Sequence, residues 1–168
     1  AAKWLGADMN PYRLAGRGCL FGLAAFSAVI FSNPMASMPL FFTGAALIGF
    51  GGGLFAVATL HAAMTMPAQG LAGRGLALGV WGAAQATAQG LSTAIGGATR
   101  DTVNQFATSG ALGEALASPA TGYSVVYHME IALLFVTLIA LAPLVRTITT
   151  DTNQSLESGK IGLADFPT

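Results

Sequence analysis

Apolar residues dominate four long stretches of the chain, each ending where polar residues, glycine or proline take over. A helix that crosses about 30 Å of hydrocarbon at about 1.5 Å per residue needs about 20 mostly apolar residues. The first stretch covers about 14–32 and stops at Asn33-Pro34, because proline disfavours helix at the residue before it. The second covers about 39–64; it opens on Pro39, a favourable first-turn position, and closes before Pro67 and the glycines at 70–75. The third covers about 76–98 and the fourth about 123–145. The pattern predicts an all-α membrane protein with four transmembrane helices.

Between the last two stretches, 99–122 is too polar for the bilayer core and too apolar for a plain linker. Val103, Phe106, Ala107, Leu112 and Leu116 fit short helical faces lying on the membrane surface, and an ordinary loop with one or two helical turns fits equally. Lys and Arg concentrate on the cytoplasmic side of membrane proteins. With four crossings one side receives Lys3, Arg13, Arg17, Arg74, Arg146 and Lys160, while the other receives Arg100. That places both ends of the chain, with the tail 146–168, in the cytoplasm, and 99–122 in the periplasm.

Composition supports the membrane reading: charged residues make up 8% of the chain and hydrophobic ones 54%, whereas a soluble domain carries about 25% charged residues. Seven basic and seven acidic residues cancel, and no basic cluster is dense enough to track phosphates, so nucleic acid is not an expected partner. The single cysteine, Cys19, cannot form an internal disulfide and reads as a small buried apolar side chain. The chain opens on Ala-Ala-Lys-Trp without an initiator Met, and we expect it to be part of a longer protein. The sequence has no Walker loop, no paired histidines at metal spacing and no nucleophile elbow, so enzymatic activity is not expected.

Helices in lipid associate through small residues that let backbones approach. Gly18 and Gly22, Gly49 and Gly53, and Gly82, Ala86 and Gly90 have that spacing and predict tight helix pairs. Polar groups within the spans are more discriminating, since each needs a partner or a wet or ligand-filled space. Gln85, Gln89 and Ser92 share one face of the third span, fitting either interhelical hydrogen bonds or a cavity wall. Glu130 and His128 sit in the first turns of the fourth span, at the periplasmic interface. Both fit water-satisfied interfacial groups. A neutral imidazole at an interface can also ligate a chlorophyll magnesium, and the small Ser124 four residues earlier leaves room for a ring. His61, near the cytoplasmic end of the second span, has the bulkier Val57 at that position and is a weaker candidate.

Three segments resemble the PucC family, a photosynthetic branch of the major facilitator superfamily. They are Gly75-Leu-Ala-Leu-Gly-Val-Trp-Gly-Ala-Ala-Gln-Ala-Thr-Ala-Gln-Gly90, continued by Gly96-Gly-Ala-Thr-Arg-Asp101; Gly122-Tyr-Ser-Val-Val-Tyr-His-Met-Glu-Ile-Ala-Leu-Leu-Phe135; and the tail Ile161-Gly-Leu-Ala-Asp-Phe-Pro167. The resemblance implies that the four spans correspond to the last four helices of a facilitator-like twelve-helix fold. Gly6, Asp8, Arg13 and Arg17 only echo the facilitators' cytoplasmic loop signature, with irregular spacing and no basic residue directly after Asp8.

The resemblance further implies an assembly factor for light-harvesting antenna complexes in the bacterial inner, intracytoplasmic photosynthetic membrane. Such a protein would bind bacteriochlorophyll, with carotenoid as a further candidate, and hand pigment to antenna alpha and beta polypeptides, with the reaction-centre complex as another partner. His128 is then the candidate magnesium ligand, His61 the lesser one, and Gln85 and Gln89 a candidate hydrogen-bonding wall. Two other functions fit the same spans: a secondary transporter of the facilitator type, and a structural subunit retained in an antenna or reaction-centre complex.

Overall fold

The computed structural model describes residues 10–65 and 70–158, of which 70–72, 74 and 146–158 are described as backbone. Pro67, the Gly6 and Asp8 echo and the tail 161–167 lie outside the described residues. Four α-helices follow one another: α1 Pro11–Ser32, α2 Met38–Thr65, α3 Gly70–Thr108 and α4 Ala120–Ser158. Among the described residues there is no strand.

Asn10 caps α1, its Oδ1 accepting from the Tyr12 N–H at 2.9 Å, with Pro11 in the first turn, where a missing N–H costs nothing. The same side chain donates from Nδ2 to the Val145 carbonyl at 3.3 Å, tying the start of α1 to α4. α1 is the central element. It packs along α2 and α4 and contributes Leu14, Ala15 and Cys19 to a core closed by Ala58 of α2 and Leu141 of α4. Cys19 is buried there, as its apolar setting suggested.

The α1–α2 pair depends on missing side chains. A Cβ on Gly18 would stand 2.8 Å from the Gly51 carbonyl oxygen, and one on Gly44 would stand 2.5 Å from Val29 Cγ2. Gly44 and Gly51, seven residues or about two turns apart, therefore form the contacting stripe of α2. Gly49 and Gly53, expected to do so from their spacing, face open space, and so do Gly82 and Gly90 of α3. Spacing alone cannot say which face of a glycine-rich helix meets a neighbour. Gly22, one turn from Gly18, turns instead toward Leu134 of α4, whose Cδ1 would lie 3.0 Å from an added Cβ.

α1, α2 and the 120–145 part of α4 are long and apolar enough to cross a membrane. α3, with 39 residues, has the length, but Gln85, Gln89, Ser92 and Thr93 lower its hydropathy. Topology carries it across. α2 and α4 both run antiparallel to α1, as the pairs Gly18 with Gly51, Phe26 with Tyr127 and Asn10 with Val145 show. The chain thus leaves α2 at one end of the bundle and enters α4 at the other, and α3 must run the whole length between them.

Two boundaries differ from the hydropathy pattern. The glycines at 70–75 begin α3 instead of breaking the chain; each costs about 1 kcal/mol of helix propensity, which the intervening Leu71, Ala72 and Arg74 dilute. Of the segment 99–122, residues 99–108 continue α3, and the remainder before α4 holds one short 3-10 turn, Glu114–Leu116. Ala107 is buried in that continuation, and only 109–119 connects α3 to α4. In that connection Gly110 and Gly113 adopt φ of 77° and 85°, a left-handed conformation that favours glycine, on either side of a tight turn. Leu112 and Leu116 lie exposed within it.

Candidate functional site

The end of the bundle where α1 stops and α4 starts holds two side-chain hydrogen bonds between α3 and α4. Asn104 of α3 reaches the first turn of α4, its Oδ1 accepting from the Gly122 N–H at 2.9 Å, which satisfies one of the N–H groups that a helix start leaves unpaired. Gly122 has to be glycine: an added Cβ would lie 2.5 Å from both the Arg100 carbonyl oxygen and Asn104 Oδ1.

One turn above, Arg100 donates from Nη1 to the Tyr123 hydroxyl oxygen at 3.1 Å, and its guanidinium lies 5.3 Å from the centre of the Tyr123 ring. Asp101 holds the guanidinium through Nε at 2.9 Å. Hydrogen bonding to Asp101 first, and to Tyr123 second, keeps the Arg100 pKa above its already high ordinary value, so the group stays charged. Tyr123 in turn neighbours Tyr127 at 6.4 Å between ring centres, and Tyr127 packs on Phe26 of α1 at 5.8 Å. A continuous series from guanidinium through three aromatic rings thus links α3, α4 and α1.

Beside this series lies a groove of about 890 Å³, within the range of small-molecule sites. Val29, Ile30, Phe41 and Met38 line it on one side together with the polar Asn33 and Ser37, and Tyr123, Ser124 and Tyr127 line it from α4.

His128 is outside the groove's lining, one helical turn from Ser124, which belongs to it. Its Nδ1 is 2.7 Å from the backbone carbonyl oxygen of Ser124, which can only accept, so Nδ1 carries the proton. In the neutral ring Nε2 is then an unprotonated nitrogen with a free lone pair. The side chain is exposed. A metal-ligating histidine needs its second nitrogen oriented in this way. Glu130 is half-buried two residues further on and makes no hydrogen bond with its side chain among the described residues.

The other sequence candidates are elsewhere. His61 lies near the end of α2, and through the pairings of α2 with α1 and α1 with α4 it falls at the opposite end of the bundle from His128. Gln85 and Gln89 lie on α3, which meets α4 at Val126, Tyr123 and Gly122. His128 follows Val126 by two residues, a rotation of about 200°, so it leaves α4 on the side away from α3. The glutamines and the imidazole therefore do not share one site. Neither glutamine side chain makes a hydrogen bond among the described residues. Nothing in the sequence pattern singles out Tyr123, Arg100 or Asn104 as functional candidates. Tyr123 and Arg100 lie inside the segments that resemble the family, but which residues meet depends on how the 109–119 turn sets α3 against α4.

Comparison with known proteins bears on the whole chain. The family model described as "PUCC protein" matches residues 1–149. An uncharacterized protein in the puhA-bchM intergenic region of Rhodobacter capsulatus is 51% identical over 170 residues, covering 100% of this chain and 35% of the relative. Protein PucC of Cereibacter sphaeroides is 37% identical over 147 residues, covering 87% of this chain and 30% of the relative. The bacteriochlorophyll synthase 44.5 kDa chain of Rhodobacter capsulatus is 35% identical over 96 residues, covering 53% of this chain and 21% of the relative. The chain spans about a third or less of the length of these relatives. No solved structure matches it. With a family match over nearly the full chain and close relatives covering almost all of it, this membrane protein belongs to the PucC family.

Proposed function

We propose that the chain is the pigment-contacting part of an assembly factor for photosynthetic antenna complexes, one that holds bacteriochlorophyll and passes it to antenna alpha and beta polypeptides. The family membership and the name of the bacteriochlorophyll synthase chain among its relatives support the pigment class. The observation that carries the reading is the geometry of His128: Nδ1 held by the Ser124 carbonyl at 2.7 Å and Nε2 left available on an exposed face.

The donor chemistry fits the group. When bound, bacteriochlorophyll would supply a magnesium ion, and the neutral imidazole of His128, with its tautomer fixed, would suit it as a ligand. The carbonyl of Ser124 holds the ring of His128 in place, and the short Ser124 side chain leaves space beside it. Such a protein holds and hands over without converting its cargo, so no catalytic group is required. In this reading the 109–119 turn faces the periplasm, the ends near Asn10 and Val145 face the cytoplasm, and the membrane is the photosynthetic inner membrane.

The test is the pigment content of the intact protein purified in mild detergent. His128→Leu should lose bound bacteriochlorophyll and reduce antenna assembly while membrane insertion is unchanged, and His61→Leu should retain both. A His128→Leu protein with its full pigment complement and normal antenna assembly would rule out this role for the imidazole.

A further inference from the structure

The groove next to His128 contains a phenol whose hydrogen bonding is constrained on one side. A guanidinium has five N–H donors and no acceptor. In the 3.1 Å contact between Arg100 Nη1 and the Tyr123 hydroxyl, the phenol oxygen therefore accepts. Its own hydrogen has no acceptor among the described residues. Asp101 restrains the guanidinium through Nε at 2.9 Å, and the ring of Tyr127 stands 6.4 Å from that of Tyr123, so neither partner of the contact is isolated. Accepting from a cation also polarises the phenol and strengthens it as a donor.

From these relations we infer that Tyr123 is a directed hydrogen-bond donor in the groove, committed by Arg100 to a keto or ester carbonyl of the bound pigment. This rests on the pigment reading above. On its α1 and α2 side the groove sets Val29, Ile30, Met38 and Phe41 beside the polar Asn33 and Ser37, and Ser32 there has already given its hydroxyl hydrogen to the Val29 carbonyl at 2.6 Å. An apolar ligand that carries acceptors and few donors matches that lining. Chlorin-type pigments have this chemistry in their peripheral carbonyls. Continuity with His128 selects the pigment over a membrane lipid ester: Ser124 lines the groove with Tyr123 and Tyr127, and its carbonyl holds the imidazole one helical turn away. A ring ligated at His128 needs to reach only about 5.4 Å along α4 to meet the groove.

The experiment is vibrational spectroscopy of the intact protein with its copurified bacteriochlorophyll, read at the pigment carbonyl stretches. Tyr123→Phe, which keeps the ring and removes the donor, should move one carbonyl band up to its unbonded position. Arg100→Met should split that band into bonded and free populations, since the phenol hydrogen is no longer committed. His128→Leu is a separate arm, read at the magnesium coordination marker bands. If His128→Leu leaves coordination intact and Tyr123→Phe still moves the carbonyl band, the ligand reading falls and the groove inference stands. Carbonyl bands in Tyr123→Phe that superimpose on those of the unaltered protein overturn the inference, and so does a shift confined to bound lipid esters. A protein isolated without pigment overturns both readings.

Discussion

Gly18 and Gly51 face each other so closely that a Cβ on either would stand 2.8 Å from the carbonyl oxygen of the other. The relation is reciprocal, and the obstructing atoms are backbone, so no side-chain adjustment relieves it. Gly18→Ala or Gly51→Ala should push α1 and α2 apart at a cost of about 1–3 kcal/mol, the usual range for overpacking. Gly53→Ala, where an added Cβ meets nothing within 4 Å, should be neutral or stabilise α2 by up to about 1 kcal/mol. Thermal unfolding of the three variants in the same detergent gives the comparison, and equal melting temperatures would refute the packing argument.

Gly122 and Asn104 make the corresponding contact between α3 and α4. Asn104→Ala removes a capping acceptor from the Gly122 N–H and should cost about 0.5–2 kcal/mol. Gly122→Ala should be worse, because it collides with the Arg100 carbonyl as well as the Asn104 side chain. Protease cleavage within 109–119 reports the outcome: both variants should be cut faster than the unaltered protein, with Gly122→Ala the faster.

On the opposite end, the Trp81 indole N–H donates to Thr59 Oγ1 at 3.2 Å and joins α3 to α2. Thr59→Val keeps the shape and removes the acceptor, and hydrogen bonds between membrane helices average about 0.6 kcal/mol. The loss of stability should be of that size. In a Trp4→Phe background the emission of Trp81 should shift as its N–H loses its partner, and an unchanged spectrum would show that the bond does not persist in detergent.

The composition of α3 makes a prediction about biosynthesis. Segments from α1, α2 and 120–145 should each insert alone in a translocon assay, whereas 76–98 should insert poorly, since Gln85 and Gln89 lie near its middle. Gln85→Leu with Gln89→Leu should restore independent insertion. Efficient insertion of the unaltered segment would mean that the glutamines impose no barrier.

The elements were legible because the bilayer imposes a length and a polarity on each helix. Leu14 to Ser32 lies within α1 and Pro39 to Met64 within α2 for that reason. The long helices were less legible: hydropathy ends the third stretch near Ala98, yet the backbone continues as helix to Thr108, because Thr99, Arg100 and Asp101 are polar but remain good enough helix residues. The place of His128 on the first turns of the last helix could be read from the sequence, but not the partner of its Nδ1. That partner is the carbonyl of its own helix at Ser124. Tyr123 and Arg100 were visible as letters only, because the meeting of two residues 23 positions apart is a property of how α3 and α4 are turned toward each other.

Finally, α3 is held to the bundle near both of its ends, by Trp81 on α2 and by Gly96, Arg100 and Asn104 on α4, with Gly82 and Gly90 facing open space between. From Trp81 to Arg100 the axial distance is about 28 Å at about 1.5 Å per residue, close to the thickness of the hydrocarbon core. A helix pinned at two points so far apart works as a strut across the membrane. Any displacement of α3 along its axis would strain the indole bond to Thr59 and the Arg100 contact with Tyr123 together, so the two ends of the helix share one mechanical constraint.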